Sequence, residues 1–482
     1  MNVLLIQPPD ENRPVDPVGN LYGRSPSRPP PWNLLCLRSY ILERTRHACS
    51  FVDCRLYLDL EPNLVEAIRN NPSPRILVVN ASSTGLGQAM AVLEIAKRHF
   101  PEAKTVLCGQ HPSAYPDHAA QLPRMDFALS GDPEPILRNL LDYMDIQQRL
   151  LRIPGLVIPQ RGEPVQPYWV NDLRSLSLPD WQGIFWPAYQ AGGGGPRALC
   201  RAEFRLSRGH TRFPSDRAFG AFYEPLRVWP FDRAATSLFK SAHAGVTDVM
   251  VADPPGFWTP ERLTQWCTAL LNVRNTQAWS LQMLPTHLDD DTLADLESSS
   301  CSRVEFIFPS TDPVVLEKYG CAISPAEMGA AAHYMSRFNL DVAFRFWVGG
   351  PEKTPDEESR ILRTIRALGY RKYILEPFPF QFDTPLYRVY SRLNTVPQLE
   401  EWLQWSMDPW LLEKPVPLWG GKEEADALKA SLEEIHSSIQ HNPWRFIAGW
   451  IRKLSENSAL NELDEPATTL GPASTASGTK QG

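Results

Sequence analysis

Three short segments carry groups suited to holding a ligand. Asn80-Ala81-Ser82-Ser83-Thr84-Gly85-Leu86-Gly87 sets an amide and hydroxyls among small residues, Gly109-Gln110-His111-Pro112-Ser113 offers an amide, an imidazole and a hydroxyl, and Gly131-Asp132-Pro133-Glu134-Pro135 adds two carboxylates. Small residues let a ligand approach the backbone, and polar side chains fix its orientation. Taken singly, each segment also has a plainer reading: Gly-Leu-Gly is a common turn, and His111 can cap a helix. Further along, Arg201, Arg205, Arg208, Arg212 and Arg217 crowd around His210. Guanidinium forks suit carboxylate or phosphate groups, so this stretch reads either as an anion pocket or as a solvated basic face. His210 reads either as a metal ligand or as a hydrogen-bonding surface group.

The elements that must position these groups follow from hydrophobic patterning. Short β-branched runs at Val3–Gln7, Cys49–Asp53, Arg75–Asn80, Lys104–Cys108 and Asp126–Ser130 alternate with amphipathic stretches at Asn33–Arg44, Asn63–Arg69, Gln88–Phe100 and Glu134–Tyr143. That rhythm predicts a doubly wound parallel sheet with right-handed crossovers. In such sheets ligands lie outside the carboxyl ends of the strands, which is where the three segments fall. A proline-rich linker follows, with a possible hairpin at Gly155–Pro159. Six more runs then predict a partial (β/α) barrel: Arg201–Ser207, Asp248–Ala252, Ala278–Met283, Arg303–Phe308, Asp341–Val348 and Lys372–Pro377. Residues 395–455 read as a tryptophan-rich helical cap, and the last stretch as a polar, disordered tail.

Composition narrows the function. A chain of 482 residues predicts two or three domains. Its formal net charge of −7 argues against a partner recognised through nucleic-acid phosphates. No apolar run approaches the ~20 residues that span a bilayer, and the first residues lack the basic region of a signal peptide, so a soluble, cytoplasmic protein without membrane partners is expected. The eight cysteines (Cys36, Cys49, Cys54, Cys108, Cys200, Cys267, Cys301 and Cys321) are scattered, which predicts reduced core thiols and neither a metal knuckle nor a disulfide frame.

The first domain carries, in succession, Leu4-Leu5-Ile6-Gln7-Pro8-Pro9, Pro31-Trp32-Asn33-Leu34-Leu35-Cys36-Leu37, Ser82-Ser83-Thr84, Cys108-Gly109-Gln110-His111-Pro112-Ser113 and Gly131-Asp132-Pro133-Glu134. On these segments it resembles the cobalamin-binding domain of cobalamin-dependent radical S-adenosylmethionine (SAM) enzymes. The resemblance implies a Rossmann-like fold in which the nucleotide tail of cobalamin enters the sheet edge between these loops. The Asp-x-His-x-x-Gly motif that supplies an axial histidine to cobalt is absent, so base-off binding is expected. The second domain is similar to the family's barrel at Val251-Ala252-Asp253, Cys301-Ser302-Arg303-Val304-Glu305-Phe306, Phe346 to Thr354 and Phe378 to Tyr387. It departs at one place. Family members open the barrel with Cys-x-x-x-Cys-x-x-Cys, whose thiolates leave one iron of a [4Fe–4S] cluster free to chelate SAM. Here the three positions read His210, Pro214 and Arg217. Proline has no donor group and arginine stays protonated, so a conventional cluster is not expected.

The reading is therefore an α/β protein in which a Rossmann-like cobalamin-binding domain (1–145) is joined by a linker (146–197) to a partial, TIM-like (β/α)6 barrel (198–390). A helical cap (391–455) and a disordered tail (456–482) complete it. Ser82, Ser83, Thr84, Gly109, Gln110, His111, Gly131 and Glu134 are the candidate cobalamin-binding residues. Bulky replacements at Ser83 and Gly109 should weaken binding without unfolding the domain, since both lie in loops. Catalytic residues are not assigned, and SAM binding is left open. The resemblance implies transferase-like chemistry. Without a cluster the expected role is non-radical transfer on a small-molecule substrate, or partnership with an active radical SAM enzyme. The alternative is a non-catalytic binding or regulatory protein.

Overall fold

Val3-Leu4-Leu5-Ile6 and Ile76-Leu77-Val78-Val79 are almost wholly withdrawn from solvent, as strands covered by helices on both faces must be. The computed structural model describes residues 1–9, 29–57, 59–71, 74–83, 85–159, 164–189, 200–209, 225–319, 321, 323–338, 340–348, 356–367, 373–377 and 430. The first part runs β1 (Asn2–Gln7), α1 (Trp32–Arg44), β2 (Ala48–Asp53), α2 (Leu60–Asn70), β3 (Pro74–Asn80), α3 (Leu86–His99), β4 (Lys104–Cys108), α4 (Gln110–Ala114), α5 (Pro116–Ala119), β5 (Phe127–Leu129), α6 (Pro133–Tyr143), α7 (Gln147–Leu150) and β6 (Leu156–Val157).

These strands form one sheet in the order β2-β1-β3-β4-β5-β6. All neighbours are parallel except β5 and β6. The chain order reverses around β1, which creates the crevice where doubly wound sheets take ligands. The suggested hairpin at Gly155–Pro159 is instead the single strand β6, whose Val157 pairs with Ala128 at the sheet edge.

The second part runs β7 (Arg201–Phe204), β8 (Ser207–Arg208), β9 (Arg227–Val228), α8 (Phe231–His243), β10 (Asp248–Val251), α9 (Pro260–Asn272), β11 (Ala278–Met283), α10 (Asp290–Ser298), β12 (Cys301–Phe308), α11 (Pro313–Lys318), α12 (Pro325–Met335), β13 (Asp341–Val348), α13 (Glu357–Ala367) and β14 (Tyr373–Pro377). Its main sheet is parallel and sequential, β7-β10-β11-β12-β13-β14. That is the strand order of a partial barrel, and among the described residues β7 and β14 do not pair. Alternation sorts its two faces. Phe306, Phe308, Phe344 and Phe346 pack together on one face, with the Phe308 and Phe346 rings 5.4 Å apart. Arg303, Glu305 and Arg345 lie in the alternate positions of the same strands.

The strand read as Arg201–Ser207 ends at Phe204, because Ser207 and Arg208 turn away to pair antiparallel with Val228 and Arg227. Trp32 on α1 packs against Phe204 (ring centroids 4.6 Å apart), Trp181 (6.1 Å) and Trp229 (6.4 Å). Part of the high tryptophan content thus forms an aromatic core joining the first helix, the segment between the sheets and the start of the second sheet. The cap and tail regions, 391–455 and 456–482, lie outside the described residues except for residue 430.

Candidate functional site

The carboxyl ends of β1 and β3 meet at the reversal of strand order, where Asn80 Nδ2 donates to Gln7 Oε1 at 2.9 Å. The loop after β3 is laced to the loop after β4: Ala81 N donates to Cys108 O (2.8 Å) and His111 N to Ala81 O (3.0 Å). Gly109 makes this crossing possible. Its φ is +106°, and a Cβ there would lie 2.7 Å from Ala81 O. The chain itself fills that space, so replacing Gly109 strains the loop and does not test ligand contact alone, contrary to the sequence-based expectation.

Ser83 and His111 come together. Ser83 Oγ lies 3.1 Å from His111 Nδ1, and His111 Nε2 lies 2.9 Å from His118 Nδ1. His111 is fully buried. Burial, and after it the charge of His118, push its pKa down to about 3, so the ring stays neutral in ordinary buffers. Ser82 Oγ accepts from Gly85 N at 2.9 Å, a local turn contact. Gln110 opens α4 and is half-buried. Thr84 lies outside the described residues.

The loop after β5 is built differently. Ser113 Oγ donates to Gly109 O (2.7 Å) and accepts from Gly131 N (3.0 Å). Gly131, with φ +107°, passes so close to Tyr168 that a Cβ would sit 2.6 Å from the Tyr168 carbonyl carbon. Glu134 spends both carboxylate oxygens on Arg208, at 2.5 and 3.0 Å. Asp132 takes Arg208 Nη1 at 2.8 Å and also pairs with Arg227, whose Nη1 reaches Val170 O at 2.7 Å. Burial opposes ionisation of Asp132, but Arg208 and Arg227 outweigh it and hold the carboxyl below its usual range. Arg208 also stands 5.4 Å from the Trp229 ring centroid.

The arginine cluster is thus largely neutralised among the described residues. Arg208 belongs to this buried network, Arg201 pairs with Asp248 at 2.6 Å, and Arg205 pairs with Glu203 at 2.6 Å. All three are paired, and Arg208 is the most buried of them, while the Arg205 side chain keeps 43% of its surface exposed. Arg212 and Arg217, with His210 and Pro214, lie outside the described residues.

In the second sheet, Asp253 follows β10 and is buried. It accepts from Leu206 N at 3.1 and 2.8 Å and from Ser207 Oγ at 2.5 Å, which fixes the turn leading from β7 into β8. Burial raises its pKa to about 6. Across β11, β12 and β13, Gln282 Nε2 and Arg345 Nε both donate to Glu305 Oε1, at 2.8 and 2.5 Å. Burial pushes the thiols of Cys36, Cys49, Cys54, Cys108, Cys267 and Cys321 up to about 12 and raises that of Cys301 well above its ordinary value, so these remain protonated. Among the described residues no three His, Cys, Asp or Glu side chains converge as a metal site. No helix among them is long and apolar enough to cross a membrane.

Two buried polar atoms at the rim of the first sheet make no hydrogen bond among the described residues: Gln88 Oε1, in the first turn of α3, and Ser130 Oγ, just past β5. Sequence reading assigned no ligand role to either, nor to Gln7. Polar residues closing apolar strands (Gln7, Ser130) were a usable signal. His118 stood out only as one of the domain's histidines, and its pairing with His111, seven positions away across a helix break at Tyr115-Pro116, carried no local signal.

A doubly wound sheet followed by a sequential parallel half-barrel defines a known class of fold. The chain is similar to TsrM, a radical S-adenosylmethionine methyltransferase from Kitasatospora setae solved with tryptophan substrate and the SAM analogue aza-SAM. Identity is 15%, the match covers 78% of this chain and 72% of that one, and the TM-score is 0.57. A second TsrM structure, with cobalamin and [4Fe–4S] cluster bound, matches with a TM-score of 0.55 and 15% identity, covering 78% of this chain and 74% of that one. OxsB, a cobalamin-dependent S-adenosylmethionine radical enzyme with aqua-cobalamin bound, matches at 14% identity over 84% of this chain and 56% of that one, with a TM-score of 0.56. At these identities the shared property is the fold. No protein-family model and no curated protein sequence matches the chain.

Proposed function

We propose that this protein binds cobalamin at the carboxyl edge of its first sheet and carries no [4Fe–4S] cluster at the loop after β7. Its role is then a non-radical transfer to a small molecule, or the support of an active radical SAM partner. The observation that carries the reading is the rim itself. Neutral groups from the ends of β1, β3, β4 and β5 gather at the crevice of a fold shared with TsrM and OxsB, and Gln88 Oε1 and Ser130 Oγ there have hydrogen-bonding capacity to give. An amide-edged ligand such as cobalamin matches that donor and acceptor set.

Bound cobalamin would supply a methyl group for transfer. The chain's own residues hold and orient: Ser83, His111, Gln88 and Ser130 offer hydrogen bonds, while Gly109 and Gly131 let the loops cross closely enough to place them. Against a cluster stand His210, Pro214 and Arg217 at the positions of the three thiolates. The experiment is titration of purified protein with hydroxocobalamin, followed by absorbance and calorimetry. Saturable uptake is expected, and its failure overturns the proposal. Electron paramagnetic resonance of the Co(II) form should lack superhyperfine splitting from an axial nitrogen. Such splitting would contradict base-off binding and direct attention to His111 and His118.

A further inference from the structure

We propose that His118 acts through His111 as a positioning residue that decides whether Ser83 offers the rim a hydrogen-bond donor or only acceptor lone pairs. The inference rests on the cobalamin reading for the identity of the ligand but not for the device itself.

Both ring nitrogens of His111 are engaged, Nδ1 by Ser83 Oγ at 3.1 Å and Nε2 by His118 Nδ1 at 2.9 Å. A neutral imidazole carries one N–H and one lone pair, so the chain of three groups has a direction. In one arrangement Ser83 donates to His111 Nδ1, His111 Nε2–H donates to His118 Nδ1, and Ser83 shows the rim its lone pairs. In the other, His118 Nδ1–H donates to His111 Nε2, His111 Nδ1–H donates to Ser83 Oγ, and the serine proton turns to another acceptor. Burial keeps His111 from taking a second proton.

Protonation of His118 therefore forces the second arrangement. A cationic His118 has N–H on both nitrogens, so His111 must accept at Nε2 and carry its single proton at Nδ1. The balance is one proton gained from solvent, resident on His118, with Ser83 and His111 neutral before and after. Among the described residues, the other titratable groups on the elements packed here are Cys108, held neutral by burial, Tyr115, whose ring lies 5.7 Å from His111, and Asp117 beside His118 in the chain. His118 is half-buried while His111 is not exposed at all, so solvent reaches the outer member of the pair.

The test is nitrogen-15 spectroscopy of the full chain labelled at histidine, across pH, without ligand. As His118 titrates, His111 should stay neutral while its protonated nitrogen switches from Nε2 at high pH to Nδ1 at low pH. A His118→Asn variant should abolish the switch. A His111 pattern that does not change as His118 titrates, or a His111 that itself becomes cationic, overturns the proposal. Hydroxocobalamin titration adds the second arm: affinity should rise about fivefold on acidification through the His118 titration, the worth of one hydrogen bond, and Ser83→Ala should remove that rise. A nitrogen switch in a protein that takes up no hydroxocobalamin at any pH upholds the device and overturns the cobalamin reading.

Discussion

The carboxyl rim of the first sheet and the amino-terminal half of the second carry different polar chemistry. At the rim of the first, Gln7, Asn80, Ser83, His111, Gln88 and Ser130 are neutral groups, beside the ion pair of Asp53 with Arg55. At the amino ends and middle of the second sheet's strands stand ion pairs between neighbours: Arg201 with Asp248, Arg303 with Asp341 and Arg345 with Glu305, at 2.6, 3.0 and 2.5 Å. Paired ions demand fixed geometry and give up little to a newcomer, whereas neutral donors and acceptors exchange partners cheaply. The neutral groups of the first rim suit the proposed ligand, and the ion pairs of the second sheet bridge neighbouring strands. The two meet at Asp132 and Glu134, where arginines from β8 and β9 seat on the loop after β5.

That meeting point gives the largest expected effect. Arg208→Met leaves Glu134 and part of Asp132 as uncompensated buried charge and should cost about 3–5 kcal/mol in chemical denaturation. A loss below ~1 kcal/mol would show that the carboxylates find other partners and that the junction is not held by this network.

The contrast also appears in pH dependence. Asp253 is raised from 3.8 to about 6, so its contribution to stability is full below pH 3.8 and fades as pH rises through 6. His111 is lowered from 6.5 to about 3, so its contribution is full above pH 6.5 and fades as pH falls toward 3. Between pH 4 and 6 the two slopes oppose each other. Asp253→Asn should leave the His111 slope unmasked and steepen the acid loss of stability by up to ~3 kcal/mol, as measured by urea unfolding at successive pH values. An unchanged profile would mean that Asp253 is ionised across this range.

A smaller effect is expected at Gly131→Ala, about 2 kcal/mol, from a positive φ and the closeness of Tyr168. The same substitution should lower hydroxocobalamin affinity by displacing Ser130 and Ser113. Full stability would show that Tyr168 can move away and that this edge of the rim is adjustable.

Much of this was legible in the chain. Buried strands announced themselves as short runs rich in aliphatic or aromatic residues, and the positions of β1, β4, β11 and β13 follow from them within a residue or so. The ribbon of β8 and β9 did not, because two-residue strands carry no periodicity and their pairing depends on Asp253 and Asp132. The pairing of Arg208 was hidden for the same reason: it finds Asp132 and Glu134 at separations of 76 and 74 residues, which local pattern cannot reveal. Gly109 and Gly131 were read as positions where a ligand nears the backbone, and the approach the structure shows there is that of the chain's own backbone.

The most direct test of the account is metal analysis after anaerobic reconstitution of one sample with hydroxocobalamin, iron and sulfide, followed by a search for 5′-deoxyadenosine when SAM and a strong reductant are added. Retained cobalt, no bound iron and no deoxyadenosine are expected. About four irons per chain with deoxyadenosine formation, or cobalt lost on desalting, would contradict it.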